Sequence, residues 1–119
     1  MVETEQIVNK IVEGIQERKG KKIVIVNMSD LREAPCSCFV ICEGDSKVHV
    51  NAIAHSVKDW VRDEIKLKPY AIDGQENSEW IAMDYGAIIV HVFQRTVREF
   101  YDIEHLWEDA KLTEIEDLD

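Results

Sequence analysis

Residues 79–110 read EWIAMDYGAIIVHVFQRTVREFYDIEHLWEDA and change from strand-like to helix-like periodicity. Trp80–Met83 is a short extended run, followed by Asp84-Tyr85-Gly86, residue types of a tight turn in which glycine readily takes a positive φ. Ala87–Phe93 is apolar and β-branched, which is typical of a buried central strand. The apolar residues beyond it follow helical spacing. The stretch therefore predicts a hairpin of two strands, covered by the helix that follows and reaches Trp107.

The chain upstream of this stretch adds two helices and three strands. One helix has an apolar stripe at helical spacing, and the other has Asp45 or Ser46 as its N-cap and repeats apolar residues to Ile65. The first of these helices spans Thr4–Lys19, and the three strands span Lys22–Asn27, Cys36–Cys42 and Tyr70–Ile72. Helices alternating with strands in this order predict a single α/β (α+β) domain, a mixed five-stranded sheet flanked by helices.

The charge balance is acidic and uneven. The chain has 24 acidic and 14 basic residues, a net charge of −10, and residues 108–119 alone hold six acids and one lysine. We therefore expect a folded domain over residues 1–110 and an acidic, flexible tail over residues 111–119. Since nucleic-acid binding needs basic side chains to displace counterions, direct nucleic-acid contact is expected to be absent or minor, and a basic protein is the favoured partner.

Neither a targeting segment nor a metal site is indicated by the sequence. The N-terminal residues lack the basic and apolar regions of a signal peptide, and no apolar run approaches the length of a membrane span, so a cytoplasmic protein is expected. Cys36, Cys38 and Cys42 would share one strand face without a fourth ligand, which predicts reduced core cysteines rather than zinc ligands. We expect no metal and no cofactor.

Catalytic constellations are missing from the pattern. Gly44-Asp45-Ser46 before a helix is similar to a nucleotidyltransferase arrangement, but that chemistry needs paired carboxylates around Mg²⁺. No strand carries Asp-x-Asp, and Glu79 and Asp84 are five residues apart and project to opposite faces. A nucleotidyltransferase-like fold without the catalytic carboxylates, and no enzyme activity, is the prediction; an enzyme of that class stays as an alternative.

Large aromatic residues are concentrated in the hairpin and its helix. Tyr and Trp are frequent anchors of protein interfaces, and one short unit cannot hide all of these side chains. Tyr85 occupies the turn itself, so we expect it to be exposed and its replacement by alanine to leave stability almost unchanged. Phe93 is the matched core residue. The residues alone thus favour protein–protein contact, with a homodimeric scaffold as a further alternative.

The same motifs carry a family resemblance. The string W-x-x-x-D-Y-G-x-x-x-V-H-x-F from Trp80, then R-x-F-Y-x-x-E-x-L-W-x-D-A from Arg98, resembles the ribosomal silencing factor (Iojap-like) family. The match continues upstream through D-S-K-x-x-x-x-A-I-A from Asp45 and covers about Thr4–Ala110.

This resemblance implies a function and a set of contact residues. Members bind the large ribosomal subunit, chiefly its protein fourteen at the intersubunit face, block subunit joining by occupying the surface, and repress translation. The implied partner is therefore that subunit; a homodimer in the unbound state is a separate hypothesis. The expected partner-binding residues are Trp80, Ile81, Met83, Asp84, Tyr85, Gly86, His91, Phe100, Tyr101, Glu104 and Trp107.

Overall fold

A mixed six-stranded sheet forms the centre of the protein, whose computed structural model describes residues 3–118. The strand order is β3-β4-β5-β2-β1-β6, and every neighbouring pair is antiparallel except β2 and β5, which run parallel. The elements are α1 Thr4–Glu17, β1 Lys21–Asn27, β2 Cys38–Gly44, α2 Lys47–Ile65, β3 Ala71–Asp73, β4 Trp80–Asp84, β5 Ile88–Gln94, α3 Arg95–Tyr101, a 3₁₀ turn Ile103–His105 and β6 Lys111–Ile115.

The prediction of five strands is wrong, because residues 111–115, which were expected to belong to a flexible acidic tail, form a sixth strand. β6 pairs antiparallel with β1, from Ile23 opposite Ile115 to Asn27 opposite Lys111. Its charged side chains are exposed, and an edge strand tolerates charges because one of its sides faces water. Acidic composition suggested disorder, whereas pairing with a buried neighbour gives the segment a regular structure.

The two long helices cover one face of the sheet. Ser46 caps α2, with its hydroxyl oxygen accepting the His49 N–H at 3.1 Å. The N-cap of α1 is Glu3, in a capping box with Gln6. Gly14 lies where the helices meet, and a Cβ there would lie 2.9 Å from the Val57 Cα. That glycine allows the two helices to pack closely, because any larger side chain would meet the backbone of α2.

Two of the three cysteines lie in the core beneath these helices. Cys38 and Cys42 are buried, as predicted, and burial raises the pKa of both thiols to about 12. Cys36 lies before β2 rather than within it and packs against the opposite face of the sheet. All three are free thiols. Within residues 3–118, no group of three or more His, Cys, Asp or Glu side chains is placed to hold a metal ion.

The turn between β4 and β5 contradicts the prediction of an exposed Tyr85. The Asp84 carboxylate accepts the Gly86 N–H at 2.7 Å, and Gly86 has a φ of +89°. Tyr85 donates its N–H to the Ile88 carbonyl at 2.8 Å, and its ring turns under the sheet into the helix-covered core, where it is 5% exposed. The turn thus exposes its glycine and buries its tyrosine.

Removal of β6 is expected to destabilise the protein. A chain ending at Ala110 loses the outer of the two strands that pair with β1 and the apolar contacts of the half-buried Ile115, so its free energy of unfolding should fall by about 2 kcal/mol or more. Urea unfolding measures this, with a chain ending at Asp117 as the control, because that chain keeps β6. Equal stability of the two truncated chains would contradict the pairing.

The buried Tyr85 leads to a second prediction. Its hydroxyl group is buried and has no hydrogen-bond partner among residues 3–118, so Tyr85→Phe should leave the protein at least as stable as the original. Tyr85→Ala should instead cost about 3–5 kcal/mol, as for other large core side chains, and Phe93→Ala is the matched control at a fully buried site. Thermal or urea unfolding distinguishes these outcomes. A Tyr85→Ala protein of unchanged stability would show that the ring lies in solvent.

Candidate protein-binding surface

The sheet face away from the long helices carries a row of aromatic rings. Trp80 of β4 pairs across the strand with Phe93 of β5, and their rings stack with centroids 4.8 Å apart. The parallel partner β2 adds Phe39, whose ring meets His91 edge-on at 4.5 Å and Trp107 at 5.6 Å. These side chains share a face because strand residues alternate, which places positions 80, 91 and 93 on the side opposite Ile81 and Met83.

A hydrogen bond fixes the orientation of Trp80. Its indole N–H donates to His91 Nδ1 at 3.0 Å, so in the neutral ring the proton of His91 is on Nε2. Burial lowers the pKa of His91 to about 4, which keeps the ring neutral near pH 7. His91 therefore orients the half-buried tryptophan from below rather than presenting itself to solvent.

Arg98 attaches α3 and the turn after it to this face. Its guanidinium binds Glu104 through two hydrogen bonds of 2.8 and 3.2 Å, and donates to Glu43 at 3.1 Å. A fourth bond, of 2.7 Å, goes to the Lys22 carbonyl, where β1 shifts register. Burial lowers the pKa of Arg98, but the hydrogen bond and charge of Glu104 and the charge of Glu43 raise it overall. The arginine stays charged and is nearly fully paired.

The attached segment presents apolar side chains to solvent. Phe100 is 80% exposed, Tyr101 53% and Leu106 63%. Tyr101 lies over Trp80 with ring centroids 5.0 Å apart, and Phe100 meets Tyr101 edge-on at the same distance. We call Trp80, Phe100 and Tyr101 the aromatic surface. A contiguous set of exposed aromatic rings on a charged protein is typical of a protein-binding site.

The expected helix up to Trp107 is shorter than predicted. It ends at Tyr101, because Asp102 takes a left-handed conformation, and a 3₁₀ turn follows. Trp107 consequently lies in a turn and packs back on Phe39. His105 is exposed next to Asp102.

The structure brings together only part of the predicted contact set. Trp80, Phe100 and Tyr101 form the aromatic surface. Trp107 is connected to it through the buried rings of Phe39 and His91. Asp84 and Gly86 lie at the hairpin tip, while His91 and Glu104 support the surface from beneath. The exposed surface excludes three members of the set that are buried beneath the helices: Ile81, Met83 and Tyr85.

Other contributors were missing from the prediction. Phe39 reaches the aromatic row through the parallel pairing of β2 with β5, a contact between distant segments that local periodicity cannot indicate. Leu106 looked like part of a helix face and instead lies exposed in a turn. Arg98 belonged to the quoted motif. Its supporting role follows from its burial among carboxylates, which only the structure shows.

Comparison with known proteins identifies the family. The family model described as "Ribosomal silencing factor during starvation" matches residues 2–119. The chain belongs to the ribosomal silencing factor family. It is 32% identical over 113 residues to ribosomal silencing factor RsfS of Halalkalibacterium halodurans, covering 94% of each chain. It is 34% identical over 115 residues to that of Chromobacterium violaceum, covering 92% of this chain and 88% of the relative.

A solved structure has the same fold as this chain, and a further relative shares part of its sequence. A crystal structure of a Chromobacterium violaceum protein superposes with a TM-score of 0.84 at 32% identity, covering 92% of this chain and 90% of the other. A mouse relative named "Mitochondrial assembly of ribosomal large subunit protein 1" is 34% identical over 71 residues, 58% of this chain and 31% of that protein. The aromatic surface thus lies on a fold shared with these silencing factors.

The buried His91 predicts a pH dependence of stability. Its pKa is lower in the folded than in the unfolded protein, so its contribution is complete above pH 6.5 and is lost as the pH falls towards 4. The difference between a pKa of 6.5 and one of about 4 corresponds to about 3 kcal/mol. Urea unfolding between pH 7 and 4 measures the loss.

A non-titrating variant separates this effect from that of the carboxylates. His91→Gln retains an acceptor for the Trp80 indole but cannot bind a proton in this range. Its stability should therefore decline less steeply below pH 6.5 than that of the original protein. Parallel pH profiles of the two proteins would contradict a buried, neutral His91.

Proposed function

We propose that this protein binds the large ribosomal subunit through the aromatic surface and prevents the small subunit from joining. Its direct partner is a basic ribosomal protein at the intersubunit face, large-subunit protein fourteen, and the result is repression of translation in the cytoplasm. The observation that carries the proposal is the exposed aromatic surface held on the sheet by Arg98, in a chain of the ribosomal silencing factor family.

The physical character of the surface supports a protein partner. Aromatic rings anchor interfaces because they bury a large area at a small entropic cost, and Trp80 and Tyr101 are already oriented by contacts with His91 and each other. The net charge of −10 favours approach to a basic protein and disfavours approach to RNA. Among the described residues, no helix is both long and apolar enough to cross a membrane.

The proposed mechanism is steric. A bound domain occupies the surface that the small subunit would contact, so no bond is made or broken and no cofactor is needed. The regulatory name of the family agrees with such a role. In the absence of ribosomes, the aromatic surface is where a second copy would dock, which gives the proposed homodimer.

The alternative of a nucleotidyltransferase-like enzyme is less well supported by the site geometry. Ser46 caps α2, and Asp84 holds the hairpin turn through Gly86, so both have structural partners. Glu79 pairs with Lys47 at 3.6 Å. Binding of a nucleotide only in the presence of Mg²⁺ would favour the enzyme over the proposed factor.

The proposal predicts loss of subunit binding when the aromatic surface is trimmed. Phe100→Ala and Tyr101→Ala should together weaken binding to purified large subunits by at least about 30-fold, equivalent to about 2 kcal/mol. Phe100 is mostly exposed, so its replacement should change stability by no more than about 0.5 kcal/mol. Co-sedimentation measures binding, and light scattering measures subunit joining.

A matched control lies in α2, one of the helices that pack on the other face of the sheet. Val48 in α2 is as exposed as Phe100, and Val48→Ala should leave both binding and joining unchanged. Unaltered subunit joining with excess original protein would reject the proposed function. Equal loss in both variants would place the interface elsewhere.

A further inference from the structure

A groove beside the aromatic surface has an apolar floor and an acidic rim. It runs between the connector after β1 and the turn after the 3₁₀ segment, and its volume is about 480 Å³. This volume lies in the range of pockets that take ligands, about 300–1,000 Å³. Its apolar lining is formed by Leu31, Leu106 and Trp107, of which Leu106 is largely exposed.

The charges on the rim are mostly negative. Asp30, Glu33, Glu108 and Asp109 contribute four negative charges and Arg32 one positive charge, so the groove carries a net charge of −3. None of these five side chains forms an ion pair with another residue of the described range 3–118. The rim is therefore open to a cationic partner from outside the chain.

Both walls of the groove are tied to the folded core. Trp107 meets Phe39 edge-on, and its carbonyl accepts the Ala110 N–H at 3.2 Å. On the other wall, Leu31 donates its N–H to the Met28 carbonyl at 2.9 Å, and Met28 is fully buried. A groove with fixed walls loses little conformational entropy when it is filled.

We propose that this groove receives an apolar side chain carried on a basic segment of the protein partner. The apolar side chain would contact Leu31, Leu106 and Trp107, while arginine or lysine residues on either side would pair with the acidic rim. A second copy of this chain is disfavoured as the occupant of the groove, because its own groove carries the same −3 charge, and RNA is disfavoured because it too is negatively charged. The identity of the partner as a ribosomal protein rests on the proposed function. The ability of the groove to bind a basic peptide with an apolar side chain can be measured independently of it.

The test uses a short peptide in which one leucine is flanked on each side by two arginines. Titration into ¹⁵N-labelled protein should shift the Trp107 indole signal and the Leu31 and Leu106 amide signals. The Trp60 indole, bonded to Glu13 between the long helices, should not move. A peptide with serine in place of leucine should bind at least about fivefold more weakly, and one with glutamates in place of arginines should cause no shifts, given its like charge.

Two charge-reversed proteins localise the binding. Glu108→Lys with Asp109→Lys should weaken peptide binding by at least about tenfold, since it makes the rim net positive. Glu17→Lys with Glu76→Lys makes the same change in net charge at exposed positions outside the groove and should have little effect. Equal weakening in both proteins, or shifts spread over residues 114–117, would reduce the effect to general attraction of a cation and overturn the inference.

Large-subunit binding separates this inference from the proposed function. If the groove variant binds subunits as the original protein does while the aromatic-surface variant does not, the function stands and the groove has no part in it. If the original protein fails to bind subunits but still binds the peptide at Trp107, the function fails and the groove remains a site for a basic segment. If the groove variant loses both peptide binding and large-subunit binding, the result supports the inference and the proposed function together.

Discussion

The buried guanidinium of Arg98 is the contact on which the exposed surface depends. It joins the register shift in β1, the end of β2 and the 3₁₀ segment through Lys22, Glu43 and Glu104. Removing one partner of such a network leaves an uncompensated buried charge, which typically costs about 3–5 kcal/mol. Because α3 is only seven residues long and would not be stable alone, its position follows from this anchor. The orientation of Phe100 and Tyr101 is thus determined by a polar interaction beneath them.

Polar groups also organise the rest of the aromatic face. The hydrogen bond from Trp80 to His91 selects one orientation of a ring that stacking on Phe93 alone would allow to slide. The register shift turns the main chain of Lys22 out of the ladder, and its carbonyl and N–H are taken up by Arg98 and Asp117. Asp117, just after β6, and Arg98 of α3 therefore both bind the main chain of Lys22. The irregularity in β1 thus connects elements that are distant in sequence.

Sequence periodicity predicted most of the elements, because local spacing determines which side of a helix or strand is buried. The long helices, the hairpin and the central strands lie within a few residues of their expected positions. β6 was missed because its stability comes from pairing with β1, about 90 residues away, and not from its own composition. Tyr85 was misplaced for a related reason: the turn directs its ring into the core, and only the three-dimensional path of the backbone shows this. At the site, aromatic residue types predicted the character of the surface. Its exact members depend on which rings the sheet and the Arg98 network leave exposed.

The pairing of β6 with β1 has a consequence for the order in which the fold can be completed. The outer edge of β1 has no partner until residues 111–115 have been synthesised, and translation of the intervening chain takes on the order of 10 s. During that interval the main-chain groups along this edge can pair with any other strand, including one from a neighbouring nascent chain. Contacts between such distant segments also slow folding in general. The nascent protein is thus most exposed to misassembly while it is still attached to the ribosome that makes it.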